Sequence, residues 1–226
     1  MRKFNLLNVK KNKNTKRFVG KNLRTIHNRI NSTYRDYRLY DENRNNGYGG
    51  YNYDGRWIPI AKKICQVYKL NNQSKFLQLA CEKGFLINDL KIIKPKMSII
   101  GYELSHYAIK NSMKDTKKFI KKGSYEQLKS YKKKYFNFTL AVGVVYSLNL
   151  TDAIKCIKEI DRVSKKSFIN LATYKNKKDY WLFKQWSLLG TTVLLEKEWI
   201  EVLKHCNYSG DYFFTNAENL NLIQKK

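Results

Sequence analysis

Cysteine is sparse and scattered in this chain. Its four cysteines, Cys65, Cys81, Cys156 and Cys206, form no CxxC pair and no Cys/His ligand spacing. That argues against a disulfide framework and a structural zinc site, so no metal is expected. No run of about 18 uninterrupted apolar residues occurs, so neither a membrane-spanning helix nor membrane insertion is expected. The basic N-terminus, MRKFNLLNVKKNKNTKRF, lacks the apolar stretch of a secretory signal. A reducing, cytoplasmic setting follows as the expectation. Histidine is rare as well: His27, His106 and His205 have no sequence partners that would make a triad.

Acid is scarce beside base. There are 18 Asp and Glu against 45 Lys and Arg, a formal charge of +27. Such a surface attracts phosphates, nucleic acid and anionic membranes. The same balance also arises from composition alone. Lysine far outnumbers arginine, asparagine is abundant, and proline and glycine are few, as an AT-rich genome gives. The bases spread over the whole chain rather than forming one strip, which favours the compositional reading. Hydrophobic residues make up 42% of the chain, enough for a real core and too many for a disordered polymer.

Residues 1–45 read as a basic arm, with thirteen Lys/Arg and three acids, and with a thin helical stripe over 20–40. Residues 43–57, NRNNGYGGYNYDGRW, have strong turn chemistry. A regular pattern follows. Helices are predicted over 58–70, 105–113, 152–163 and 196–206, and a helical or linking segment from 88 to 93. Strands are predicted over 75–79, 98–104, 118–120, 138–145, 167–173 and 211–215. Alternating strand and helix calls for a parallel sheet covered on both faces. Ligands in such sheets sit at the C-terminal ends of the strands, where the strand order reverses.

Two segments carry the chemistry. FLQLACEKGFL (76–86) is a buried strand running into a turn with Gly84, and IIGYELS (99–105) is a strand ending on Glu103, nineteen positions after Gly84. This is the spacing of a nucleotide-binding βαβ unit: the turn lets the backbone approach the ligand, and the acid accepts from both ribose hydroxyls.

With YGGYNYDGRW (48–57), FTLAVGVVYSLNLTDAIKCIKEIDRV (138–163) and the helix-plus-strand of 186–214, these segments resemble class I S-adenosylmethionine-dependent methyltransferases. The likeness covers roughly three quarters of the chain. It is nearest to bacterial small-molecule methyltransferases with a YGGYxYDGRW loop. The resemblance implies a Rossmann-like α/β fold, mostly parallel with helices on both faces and an antiparallel C-terminal strand, formed by residues 46–226. It also implies S-adenosyl-L-methionine as cofactor and a small-molecule methyl acceptor, such as a sugar or surface-glycan precursor. An RNA substrate is the alternative, but the stretch GVVY replaces the NPPY-like motif of amino-methylating enzymes. A relative that has lost cofactor binding is the third.

The same resemblance assigns the site. Gln78, Ala80, Cys81, Glu82 and Gly84 stand on the first motif, where the family has an acid followed by three glycines. Only Gly84 keeps the pattern. Ala80 is tolerable there if its φ is negative. Either Glu82 holds the cofactor's ammonium, or Lys83 holds its carboxylate. Glu103 and Leu104 stand on the second motif, and Ser124 falls near the adenine. Gly143 lies on the loop after the fourth strand. On that loop Tyr146 either orients the acceptor or simply packs. The loop 48–57 either closes over the pocket, with Tyr53, Arg56 and Trp57 facing inward and Arg56 reaching a carboxylate, or docks the arm on the core.

Overall fold

The computed structural model describes residues 1–8 and 16–225. Its elements, in chain order, are β1 (Arg2–Lys3), β2 (Arg17–Val19), α1 (Ile26–Thr33), α2 (Tyr37–Tyr40), α3 (Ile58–Val67), β3 (Lys75–Leu79), α4 (Phe85–Ile93), β4 (Ser98–Glu103), α5 (His106–Lys110), β5 (Ile120–Lys122), β6 (Phe136–Ala141), α6 (Leu150–Val163), β7 (Ser164–Tyr174), α7 (Lys177–Trp186), β8 (Leu194–Leu195), α8 (Glu196–His205), β9 (Asp211–Thr215) and β10 (Leu222–Gln224).

The main sheet runs β1-β9-β7-β6-β3-β4-β5, with β8 joined to β7. Its central strands are apolar along both faces, because helices cover both. In β3 only Lys75 is not fully buried. One face packs on α6 and α8 through Ile157, Ile160, Trp199 and Leu203. The other packs on α3 and α4 through Ile64, Leu86, Ile87 and Leu90. Helix α6 shows why: its buried residues Ala153, Cys156, Ile157, Ile160 and Val163 recur at helical spacing. Its start is fixed by Asn149, whose side chain accepts from the Asp152 amide at 2.9 Å. The architecture is therefore the expected Rossmann-like one.

One expectation is corrected. The C-terminal strand is parallel, not antiparallel: β9 pairs with β7 in the register Phe168↔Asp211 to Ala172↔Thr215. Helix α8 crosses over between them and returns the chain to the sheet in the same direction, as a crossover connection does. No hairpin follows β9. The chain leaves the sheet instead, and β10 pairs with β2 as a separate two-stranded ribbon.

Several segments gave no clear pattern. Helix α7, KKDYWLFKQW, and the short strands β1, β2, β8 and β10 were not predicted. Strand β6 ends at Ala141 rather than 145, because Gly143 turns the chain at φ +76°. Residues 1–45, read as an arm, pack on the domain at several points. Arg2 pairs with Asp211 at 2.6 Å, Leu6 is fully buried, and Lys83 pairs with Asp41 at 2.7 Å.

Candidate functional site

The chain goes from β3 outward to β4 and β5, then returns to the other side of β3 to lay down β6, β7 and β9. Strand order reverses between β3 and β6, which opens a crevice at their C-terminal ends. A cavity of about 460 Å³ lies there, within the usual size of a ligand site. Its walls come from the β3–α4 turn (Ala80, Glu82), the end of β4 (Glu103), the turn after β6 (Val142, Gly143, Tyr146), β7 (Asn170), the end of β9 (Thr215) and the end of α7 (Trp186). Residues from α1 to the 48–57 loop cover it: Arg24, Arg35, Tyr40, Arg44, Tyr48 and Arg56.

Glu103 is the most constrained acid of the site. It is 2% exposed, and each oxygen takes one backbone amide, from Glu82 and from Ser105, both at 2.8 Å. A carboxylate has about four acceptor positions, so at least one per oxygen remains for a ligand. The turn it braces alternates in handedness: Ala80, Glu82 and Gly84 have φ of +51°, +53° and +78°. The negative φ required of Ala80 is thus not found. The backbone keeps the path of a glycine-rich turn while two of the three positions carry side chains, each at a steric cost of about 1–2 kcal/mol. Gly84 itself has no room for a side chain, since a Cβ would meet Thr116 Oγ1 at 2.6 Å.

Glu82 points into the cavity, where the hydroxyl of Tyr48 donates to its Oε1. Burial pushes its carboxyl up to about 7; hydrogen bonds from Tyr48 and Tyr51 oppose this, and the charge of Glu103 adds to it. Tyr48 is held above its usual range, by burial first and then by Glu82. Across the cavity the Tyr146 phenol is also raised by burial. Its ring meets Phe183 edge-on with centroids 6.2 Å apart. Asn170 accepts from the Gly143 amide at 2.7 Å, which fixes the turn beneath Tyr146. A Cβ built on Gly143 would meet only the Tyr146 hydroxyl, at 4.0 Å, so the backbone there faces open space.

Of the residues singled out in the sequence, Arg56, Ala80, Glu82, Glu103, Gly143 and Tyr146 meet at this cavity. The others do not line it. Gln78 is 7% exposed within β3, with its Oε1 unpartnered. Cys81 is buried beneath the sheet against the site of Gly101, and Gly84 serves as the N-cap of α4. Leu104 is 49% exposed, and Ser124 caps the 3₁₀ turn at 125–130. Tyr53 donates to Asp89 at 2.5 Å instead of facing inward, and Trp57 packs against the α3–α4 core. Lys83 does not face a ligand either: it bonds both oxygens of Asp41 and the Tyr51 carbonyl, tying α2 and the loop to the β3–α4 turn. Arg56 reaches a carboxylate, but it is that of Asp54, at 2.6 Å. The 48–57 loop therefore lies on the cavity side of the sheet, through Tyr48 and Arg56. Among the described residues no group of His, Cys, Asp and Glu could hold a metal ion, and no helix is long and apolar enough to cross a membrane.

Sequence reading missed Arg24, Arg35, Arg44, Asn170 and Trp186. One signal was present: Asn170 interrupts an otherwise apolar strand, SFINLAT. The arginines stood in a segment read as an arm, and Trp186 in a helix that was not predicted.

No protein-family model matches the chain, and no curated protein matches it in sequence. Solved structures match in shape. The YcgJ protein of Bacillus subtilis superposes with a TM-score of 0.52 at 12% identity, over 65% of this chain and 66% of that one. The [4+2]-cyclase SpnF gives 0.50 at 13% identity, over 66% of this chain and 57% of that one. A SAM-dependent methyltransferase from Archaeoglobus fulgidus lies further off, at 0.47 and 15% identity, over 66% of this chain and 68% of its own. The chain thus spans slightly less than two thirds of the first neighbour and little more than half of the second. At these identities the likeness concerns the fold, a mostly parallel Rossmann-like sheet, and fold alone does not fix a reaction.

Proposed function

We propose that this chain is an S-adenosylmethionine-dependent methyltransferase that acts on a small molecule. The observation that carries the reading is Glu103: a buried carboxylate at the end of the second βαβ strand, held by two backbone amides at the edge of a switch-point cavity. It is positioned to accept the vicinal hydroxyls of a ribose, the feature that a nucleoside cofactor offers and that few other ligands do. The remaining walls suit the same cofactor. The left-handed turn of Ala80 and Glu82 brings backbone close to the ligand. Glu82 offers a carboxylate for an α-ammonium. Arg35 lines the cavity, and its guanidinium has no hydrogen-bonded or ion-paired partner among the described residues. It is therefore available for the α-carboxylate, the role first read for Arg56.

The bound cofactor supplies an electrophilic methyl on a sulfonium, so the protein has to align, desolvate and, for a hydroxyl acceptor, take up a proton. Tyr48, Tyr146 and Phe183 present aromatic surface that excludes water from the cavity. Glu82, poised near neutrality, serves one of two exclusive roles: as a carboxylate it holds the ammonium, or it takes the proton released by an acceptor hydroxyl. The sugar or glycan-precursor acceptor stays a proposal drawn from the family resemblance, as does a cytoplasmic location. A thermal-shift titration with S-adenosylmethionine and S-adenosylhomocysteine tests the reading. A ligand that binds only the folded state at 100 times its Kd raises stability by about 2.7 kcal/mol. Unchanged melting at millimolar concentrations of both would leave a fold without its cofactor.

A further inference from the structure

The chain holds 36 lysines and nine arginines. Drift in composition would put lysine at four of every five cationic positions. The cavity reverses that ratio: Arg24, Arg35, Arg44 and Arg56 line it, and among the described residues no lysine does. Eight of the nine arginines lie within the first 56 residues, and the part of them from Arg24 to Arg56 covers the cavity. Arginine differs from lysine in its planar fork, which matches carboxylate and phosphate bidentately and stacks on aromatic rings. Stacking is visible here. The Arg24 guanidinium lies 3.7 Å from the Trp186 ring centroid and that of Arg44 lies 5.3 Å from it.

Among the described residues this arginine–tryptophan cluster has no carboxylate bonded to it. Arg24 is 9% exposed. It donates to the backbone carbonyls of Trp186 and Arg44, and Arg44 donates to those of Gly47 and Tyr48 at 3.1 and 3.0 Å. Neither bonds a carboxylate among the described residues. Arg29, beside them, caps the end of α7 at the carbonyls of Lys184, Gln185 and Ser187. Carbonyl dipoles offset part of the charge but leave guanidinium N–H groups of Arg24 and Arg44 free, since each has five. Burial and the neighbouring Arg44 and Arg29 lower Arg24 to about 9, so it stays cationic at neutral pH. The two glutamates of the cavity stand elsewhere, on the β3–α4 turn and at the end of β4. Trp186 ends α7, the helix that follows β7, whereas Glu82 and Glu103 follow β3 and β4. The cofactor's single carboxylate is the partner proposed for Arg35, which leaves Arg24 and Arg44 without one.

We propose that the Trp186 end of the cavity is an oxyanion subsite, in which Arg24 and Arg44 grip a phosphate or carboxylate group carried by the methyl acceptor. The assignment of that group to an acceptor rests on the methyltransferase reading; the oxyanion site itself does not. The acceptor is then an acidic small molecule, and the anion anchors it at one end while its nucleophile reaches toward Tyr146 and Glu82.

The test is calorimetric titration of the full chain, at constant ionic strength, with inorganic phosphate and separately with malonate. Each is run with and without S-adenosylhomocysteine. Saturable binding of either anion is expected, weakened at least ten-fold in Arg44→Gln and partly restored in Arg44→Lys, which keeps the charge but not the fork. Lys62→Gln, which removes an exposed cation, should leave it unchanged. The preferred anion tells phosphate ester from carboxylate. Arg24→Gln risks loosening α7, so Arg44 is the position at which the subsite is tested. Failure of either anion to saturate, or equal weakening in Lys62→Gln and Arg44→Gln, would overturn the subsite. Anion binding that depends on Arg44 in a protein that ignores S-adenosylhomocysteine would keep the subsite and sink the cofactor reading instead.

Discussion

Glu82 stands where a glycine-rich turn normally has no side chain, and its carboxyl is pushed from 4.5 to about 7. At about 1.4 kcal/mol per pH unit, that displacement amounts to roughly 3 kcal/mol of native-state cost once the group ionises. The native protein keeps a proton here that the unfolded chain has already lost. Between pH 4.5 and about 7 the native state therefore binds more protons, and this group's contribution to stability falls as pH rises. Below about 4.5 both states are protonated and the cost vanishes; above about 7 it is complete. Glu82→Gln mimics the protonated form at every pH. Urea denaturation at about pH 4.5, 6 and 8 should find the variant close to wild type at the lowest pH and more stable by up to about 3 kcal/mol at the highest. Other titrating groups cancel in the comparison. A difference that did not vary with pH would refute the reasoning and place Glu82 in water.

Tyr48→Phe removes the hydrogen bond that favours the ionised Glu82, so the pH at which the Glu82→Gln difference develops should move upward in that background; a downward move would reverse the assigned role of Tyr48. Ala80 sits at φ +51°, and Ala80→Gly should relieve about 1–2 kcal/mol of steric cost while adding about 0.5–1 kcal/mol of chain entropy, a net gain measurable by urea denaturation; clear destabilisation would contradict the left-handed turn. Binding of nucleic acid should be weak, indifferent to sequence and steeply salt-dependent, as phosphate contacts alone give; a filter-binding series from about 50 to 300 mM salt checks this, and a tight, sequence-selective complex at high salt would favour an RNA substrate.

The alternation of strands and helices carried most of the fold. Strands β3 and β9 fall on the residues expected, because an apolar run between polar turns leaves few other choices. Elements whose formation depends on tertiary partners were not legible. Strand β1 is two residues long and exists because β9 offers an edge, and α7 carries charges and aromatics without a clean stripe. The antiparallel expectation failed for a similar reason: strand direction follows from how α8 crosses the sheet, which no local pattern records. At the cavity, Glu103 was legible because its spacing from Gly84 is set by the βαβ unit itself, and Glu82 because it stands on the first motif of the family that the sequence resembles. Gln78, Cys81 and Leu104 neighbour that spacing but do not line the cavity: Gln78 and Cys81 are buried in the core, and Leu104 turns to solvent. Arg24, Arg35 and Arg44 were hidden in a segment whose charge looked compositional. Their identity as arginines in a lysine-rich chain was the overlooked signal.

The central claim is that a nucleoside cofactor binds with its ribose on Glu103. Isothermal titration of S-adenosylhomocysteine into wild type and Glu103→Ala tests it most directly. Removing hydrogen bonds to a charged group costs about 1.5–3 kcal/mol, so the variant should bind roughly ten- to a hundred-fold more weakly while still melting cooperatively. Equal affinity in the two proteins, or no binding to wild type, would contradict the account.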